Sequence, residues 1–275
     1  MRRCALIVLV LFGCLPRGPQ SNTGPLDSVD GDADIDTDVD SDTDADVDLD
    51  DCTGAIDDTG PWPDHPIAAA GTTATATAYT TDAGLAAVVA AAEAATERTA
   101  ANLPVTEAVV LARGFASADA TQVGLWLGDR SGALYAYDLE LGMPASAIRP
   151  GDVVSFTATE VNNFFGTAEL TGQTGLSVVR SGDPVWVVDG MTGTPVTYEA
   201  HAEQVVEVYG ELISGPDTSC GANCFDLQYA GGLLTLRTFS TFDQVGDCVH
   251  WIGPVSQFSS TPQLFADDFD WYRSY

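Results

Sequence analysis

From about residue 104 onward, short runs of Val, Leu, Ile, Tyr, Phe and Trp alternate with polar positions and are punctuated by Gly, Asp and Pro. That is the pattern of half-buried β-strands in a mainly β fold. Just upstream, residues 83–101 form an alanine-rich run with its charges at Glu93, Glu97 and Arg98, preceded by Asp82 as a helix N-cap. One helix is expected there. Residues 27–51 carry Asp at nearly every second position with small or branched residues between, as in Asp32-Ala33-Asp34-Ile35-Asp36. Like charges and scant apolar surface leave such a segment extended and disordered. At the start, Met1-Arg2-Arg3 is followed by the apolar run Ala5 to Phe12. Eight residues are far too few to span a bilayer core of about 30 Å as a helix, so the run is expected to be an export signal.

The strand region occurs twice. Residues 125–137 (Leu-Trp-Leu-Gly-Asp-Arg-Ser-Gly-Ala-Leu-Tyr-Ala-Tyr) align without a gap on 225–237 (Phe-Asp-Leu-Gln-Tyr-Ala-Gly-Gly-Leu-Leu-Thr-Leu-Arg), each a hairpin with a Gly turn. Gly151-Asp152-Val153-Val154 aligns on Gly246-Asp247-Cys248-Val249, and residues 161–170 align on 255–264. Upstream, Val109-Val110 leading to Gly114 echoes Val205-Val206 leading to Gly210. Five strand-like segments per copy predict two domains.

The order of long first strand, hairpin, connection, Gly-Asp-Val-Val strand and short final hairpin resembles the OB-fold, over about residues 104–275. The fold expected is therefore mainly β, with two tandem five-stranded OB-like barrels preceded by one helix and a disordered acidic spacer. The resemblance implies ligand binding on the outer face of strands 2 and 3 and the neighbouring loops. Leu11-Phe12-Gly13-Cys14 resembles the lipobox of bacterial lipoproteins, although Phe12 departs from its usual small or branched residue. That resemblance implies lipidation at Cys14, and Leu15 after it implies the outer membrane, on its periplasmic or surface side. The boundaries drawn are a signal at 1–13, a lipid-anchored acidic spacer at 14–66, a helical lead-in at 67–103, and OB-like domains at 104–190 and 191–275.

Charge narrows the partners. The chain has a formal charge of −30, and every basic residue is Arg. Residues 60–275 alone hold twenty-five carboxylates against seven arginines. Affinity for nucleic acid comes largely from cations that replace condensed counterions, so this balance argues against a nucleic-acid partner. Alternating carboxylates also invite calcium, but calcium loops need a closing Glu, and the Asp run has none.

Candidate chemistry is sparse. With Leu125, Leu127, Leu134 and Ala136 turned inward, Trp126, Tyr135 and Tyr137 share the outer face, either as a ligand platform or as a surface covered by the helix or the second copy. The second copy has Asp226, Thr235 and Arg237 in those places. Cys220 and Cys224 are spaced for a local disulfide, which leaves Cys52 with Cys248 or both unpaired. The alternative is a zinc site of Cys220, Cys224, Cys248 and His250. His65, His201 and His250 carry ordinary roles, no catalytic motif is present, and the pair Glu203/Glu207 has no weight as an acid/base couple on so acidic a chain. The function expected is a non-catalytic envelope lipoprotein that binds protein or glycan, with an accessory hydrolase or a nucleic-acid-binding OB protein as alternatives.

Overall fold

A computed structural model describes Cys52 and residues 79–274, apart from 115, 118, 192, 259–260 and 267–271. The export signal, Cys14, the aspartate run with its calcium question, and His65 lie outside the described residues. The first repeat comprises α1 (Leu85–Glu93), β1 (Thr99–Arg113), β2 (Gln122–Asp129), β3 (Gly132–Glu140), a 3-10 turn at Ala145–Ala147, β4 (Val153–Phe164) and β5 (Thr167–Arg180). The strands close in the order β1-β2-β3-β5-β4 and back to β1. All neighbours are antiparallel except β3 and β5.

The second repeat reproduces this plan. It comprises β6 (Val188–Asp189), α2 (Tyr198–His201), β7 (Val205–Asp217), β8 (Asn223–Tyr229), β9 (Gly232–Thr238), β10 (Cys248–Phe258), β11 (Thr261–Ala266) and β12 (Tyr272–Ser274). The order β7-β8-β9-β11-β10 closes through pairing of β10 with β7, again with one parallel pair, β9 with β11. β6 and β12 are added outside β7 and β10. Two five-stranded OB-like barrels are thus present, as the repeat predicted.

Each barrel is filled by its inward positions. Leu125, Leu127, Leu134, Ala136, Val154, Phe156 and Leu170 are buried in the first, with Leu85, Val88 and Ala92 of α1 packed against them. Phe225, Leu227, Leu234, Leu236, Val249, Trp251 and Leu264 occupy the second. A third apolar cluster lies between the barrels: Val109, Leu111, Trp126 and Val153 of the first meet Val205 and Ile252 of the second. The hairpins pair Asp129 with Gly132 and Tyr229 with Gly232, so the Gly alignment of the two copies is reproduced in the ladder.

Two local expectations are corrected. The helix ends at Glu93, and Thr99 and Ala100 already pair with Val161 and Glu160 as the start of β1. Its buried residues stop at Ala92, beyond which a helix would present nothing to the core, whereas the β4 edge offers backbone partners. The cap position is Gly84 rather than Asp82. Asp82 Oδ1 accepts from the Gly84 amide at 3.1 Å, while the buried Asp129 of β2 accepts from the amides of Ala83 (2.9 Å) and Leu85 (3.1 Å). The helix start is therefore satisfied by a residue 44 positions away from Leu85, which no local pattern reveals. The upstream echo is also out of register. Val109 pairs with Gly128 and Val153, and Glu211 pairs with Gln228 and Cys248, so the ladder sets Val109 against Glu211, not Val205.

Cys220 and Cys224 form a disulfide across the turn before β8, and Cys52 is bonded to Cys248 at the start of β10. The zinc alternative is corrected accordingly: its three thiolates are consumed, and His250 Nε2 lies 2.9 Å from Glu207 Oε1. Among the described residues there is no group of three or more side chains able to hold a metal, and no helix is long and apolar enough to cross a membrane.

Candidate functional site: an aromatic cleft between the barrels

On the first barrel, one cross-strand row runs over the outer face. Trp126 on β2 pairs with Tyr135 on β3, Tyr135 pairs with Glu169 on β5, and Glu169 pairs with Asn162 on β4. Their chain neighbours Leu125, Leu127, Leu134, Ala136, Leu170 and Val161 are buried in the core, so alternation turns the row outward. The same row recurs in the second copy. Asp226 pairs with Thr235, Thr235 with Gln263, and Gln263 with Ser256. The barrels are packed so that parts of both rows line one cavity of about 430 Å³. Tyr135, Tyr137, Phe164, Glu169 and Asn162 come from the first barrel, and Ser256, Gln263, Phe265 and Arg237 from the second, with Arg98 at the edge. An adjoining cavity over Asp217, Asp226 and Thr235 shares Phe258 and Gln263 with it.

The three aromatics singled out from sequence have different fates. Trp126 is 2% exposed, with its ring 4.6 Å from Tyr135 and 5.5 Å from Phe265 of the other barrel. The second copy, not the helix, covers it. Tyr135 is half-buried in the cavity wall, and Tyr137 is 46% exposed beside it, its ring edge-on at 6.3 Å. Arg237 lays its guanidinium over the rings of Phe265 (4.5 Å) and Phe239 (5.5 Å), so a cation faces the same space.

Two carboxylates of unusual character lie here, Glu169 in the cleft lining and Glu203 against Trp126. Glu203 is 3% exposed and has a positive φ of 58°. Its oxygens accept from Trp126 Nε1 at 2.8 Å and from the Tyr198 hydroxyl at 3.0 Å. Burial pushes its pKa up to about 8, opposed by the hydrogen bonds from Trp126, Tyr198 and Ser256 and reinforced by the charge of Glu169. Glu169, itself buried, is pushed up to about 7 by desolvation, opposed by a hydrogen bond from Asn162 and by Arg98. Glu203 is thus buried rather than part of the acidic surface on which the pair Glu203/Glu207 was expected. Its partner in that pairing, Glu207, is occupied with His250. His201 sits buried in α2, with Nδ1 3.1 Å from the Thr197 carbonyl.

Glu169 and Gln263 were missed from sequence although a signal for both existed. The alignment of 161–170 on 255–264 already set them opposite each other, one residue from the apolar Leu170 and Leu264. Phe265 and Arg98 carried no such mark.

Fold and site together define a tandem OB-like barrel protein with an aromatic, arginine-flanked cleft between its barrels. No protein-family profile matches the chain, and no curated protein matches it. Solved structures similar to it include the tetrameric p202 HIN2 (10% identity, TM-score 0.33, covering 64% of this chain and 96% of that one). Others are the Ifi202 HINa domain in complex with 20bp dsDNA (10%, 0.33, 65% and 97%) and a murine DNA binding protein bound with ds DNA (10%, 0.32, 64% and 97%). Two of these are described with double-stranded DNA, the partner class that the charge balance made unlikely here, and the readings of nucleic acid as an unlikely partner and of a protein- or glycan-binding module are not carried further. At these TM-scores the likeness does not say what this chain binds, which is read instead from its own cleft.

Proposed function

We propose that the protein binds nucleic acid without catalysis, by holding an unpaired base in the cleft between its barrels, from an exported position anchored through Cys14. The observation that carries this reading is the convergence of Tyr135, Tyr137, Phe164 and Phe265 with Arg98 and Arg237 around one cavity of about 430 Å³. Base-on-aromatic stacking contributes about 1–3 kcal/mol per base, and ligand cavities of about 300–1,000 Å³ are the usual range. Two of the seven arginines beyond residue 60 flank this cavity, on a surface that is otherwise strongly acidic. That acidity repels a long phosphate track, which favours a short single-stranded contact over a wrapped duplex. Two disulfides fit an oxidising compartment and so support export.

Fluorescence anisotropy with a labelled oligothymidylate tests the reading on the oxidised chain. Tyr135→Ala and Arg237→Ala should each weaken binding, by roughly fivefold to a hundredfold for the lost stack. With two arginines at phosphates, log affinity should fall with log salt at a slope of about −1.4, from about −0.7 per contact on a single strand. Competition by thymidine monophosphate as strong as by the oligonucleotide would assign the cleft to free nucleotides instead. A lack of saturable binding, or a steep salt slope indifferent to both substitutions, would sink the proposal. The anchor is tested separately: Cys14→Ala should move the chain from the detergent-extracted membrane fraction to the soluble one.

A further inference from the structure

Resting on base binding in this cleft, we infer that the site prefers guanine, because Glu169 presents a carboxylate beside the stacking ring Tyr135, where the Watson–Crick edge of a stacked base would lie. Tyr135 and Glu169 are direct cross-strand partners and line the same cavity, so a base held against the ring has the carboxylate within reach. Asn162, the next residue in the row, pairs with Glu169, and Gln263 from the facing barrel lines the same cavity. A carboxylate is an acceptor with two oxygens and satisfies a pair of adjacent donors best. Among unpaired bases only guanine offers two adjacent donors on this edge, N1–H and the N2 amine. Adenine and cytosine each offer a single exocyclic amine, and thymine offers one N3–H flanked by two carbonyl oxygens that the carboxylate repels.

The chemistry of Glu169 reinforces this. It is a buried carboxyl that accepts a hydrogen bond from the Asn162 side chain, with another acid, Glu203, close by. Burial without full compensation is costly for a carboxylate, and two donors from a ligand relieve that cost. Gln263 holds the equivalent place in the second barrel, and its row carries Asp226 and Thr235 where the first barrel carries Trp126 and Tyr135, so no ring stands beside it in that row. Duplication therefore leaves one base-reading edge, on the first barrel.

The test uses oligothymidylates with one central guanine, hypoxanthine, adenine or cytosine, bound by anisotropy to the oxidised chain. Guanine should bind on the order of tenfold to a hundredfold tighter than adenine or cytosine, the discrimination of a good bidentate pair. Hypoxanthine keeps N1–H and lacks the N2 amine, so it should fall between. Glu169→Gln replaces one acceptor by a donor and should level the series. The base series on the unaltered protein does not depend on how that variant folds. Equal affinity for all four oligonucleotides would overturn guanine preference while leaving base stacking intact, whereas failure of every oligonucleotide to bind would remove both.

Discussion

Glu203→Gln should raise stability, and by an amount that grows with pH. In the folded chain the carboxyl is held protonated to about pH 8, chiefly by burial. In the unfolded chain it ionises near its ordinary value of 4.5. A folded-state pKa above the unfolded one gives stability that is complete below the unfolded value and is lost progressively as pH rises to the folded one. The loss runs at about 1.4 kcal/mol per pH unit over that window and totals about 5 kcal/mol. Glutamine has the shape of the protonated acid, and its oxygen can accept from Trp126 Nε1 while its amide donates to the Tyr198 hydroxyl, the two groups now bonded to Glu203. It does not ionise in either state. Urea unfolding of both proteins, followed by tryptophan fluorescence at several pH values from about 5 to 9, should therefore give curves that nearly coincide at the acid end. They should diverge by roughly 5 kcal/mol in favour of glutamine at the alkaline end. Parallel curves would show that Glu203 is ionised in the folded protein at neutral pH, and would refute the account of a protonated acid sealed under Trp126.

Guanine binding should itself depend on pH, since a protonated Glu169 has lost one acceptor. Its carboxyl titrates at about 7, facing Asn162 and Arg98 in its own barrel, with Glu203 and Tyr198 beneath it and Arg237 also lining the cleft. Affinity for the guanine oligonucleotide should rise about tenfold between roughly pH 6 and pH 8, with the thymine oligonucleotide flat by comparison; equal profiles would rule out a titrating acceptor. Cys52→Ser paired with Cys248→Ser opens a loop spanning 196 positions, and chain entropy predicts a loss of about 5 kcal/mol in unfolding free energy. A calorimetric scan in which the double variant melts with the parent would show that the unfolded chain is not restrained by that link.

Much of the architecture was legible because it is written twice. The gap-free match of residues 125–137 on 225–237 fixes both hairpins, and the structure places Gly132 and Gly232 at equivalent ladder positions. The Val109 and Val205 echo misled because a pair of valines followed by a glycine specifies a strand but not its register, which is set by partner strands. Alternation likewise placed Trp126, Tyr135 and Tyr137 on the outer face, but face is not exposure. Trp126 is sealed by Phe265 and Glu203, residues more than 75 positions away. Glu203 itself is unreadable from sequence, since it is the packing of the first barrel, with Trp126, onto the second repeat that helps convert an acid in an acidic chain into a buried one.

The bond between Cys52 and Cys248 reroutes mechanical load. In chain order, tension from the N-terminal side would enter the first barrel at α1, yet the covalent path through the disulfide reaches β10 before residue 79 is felt. β10 runs on from Cys248 to Ser256, Gln257 and Phe258, which form part of the cleft wall. A pull applied ahead of Cys52 thus reaches the second wall of the cleft through a covalent link. Were the chain anchored ahead of Cys52, as proposed, strain would enter the cleft by its second wall, and the hold on a ligand would vary with tension on the anchor.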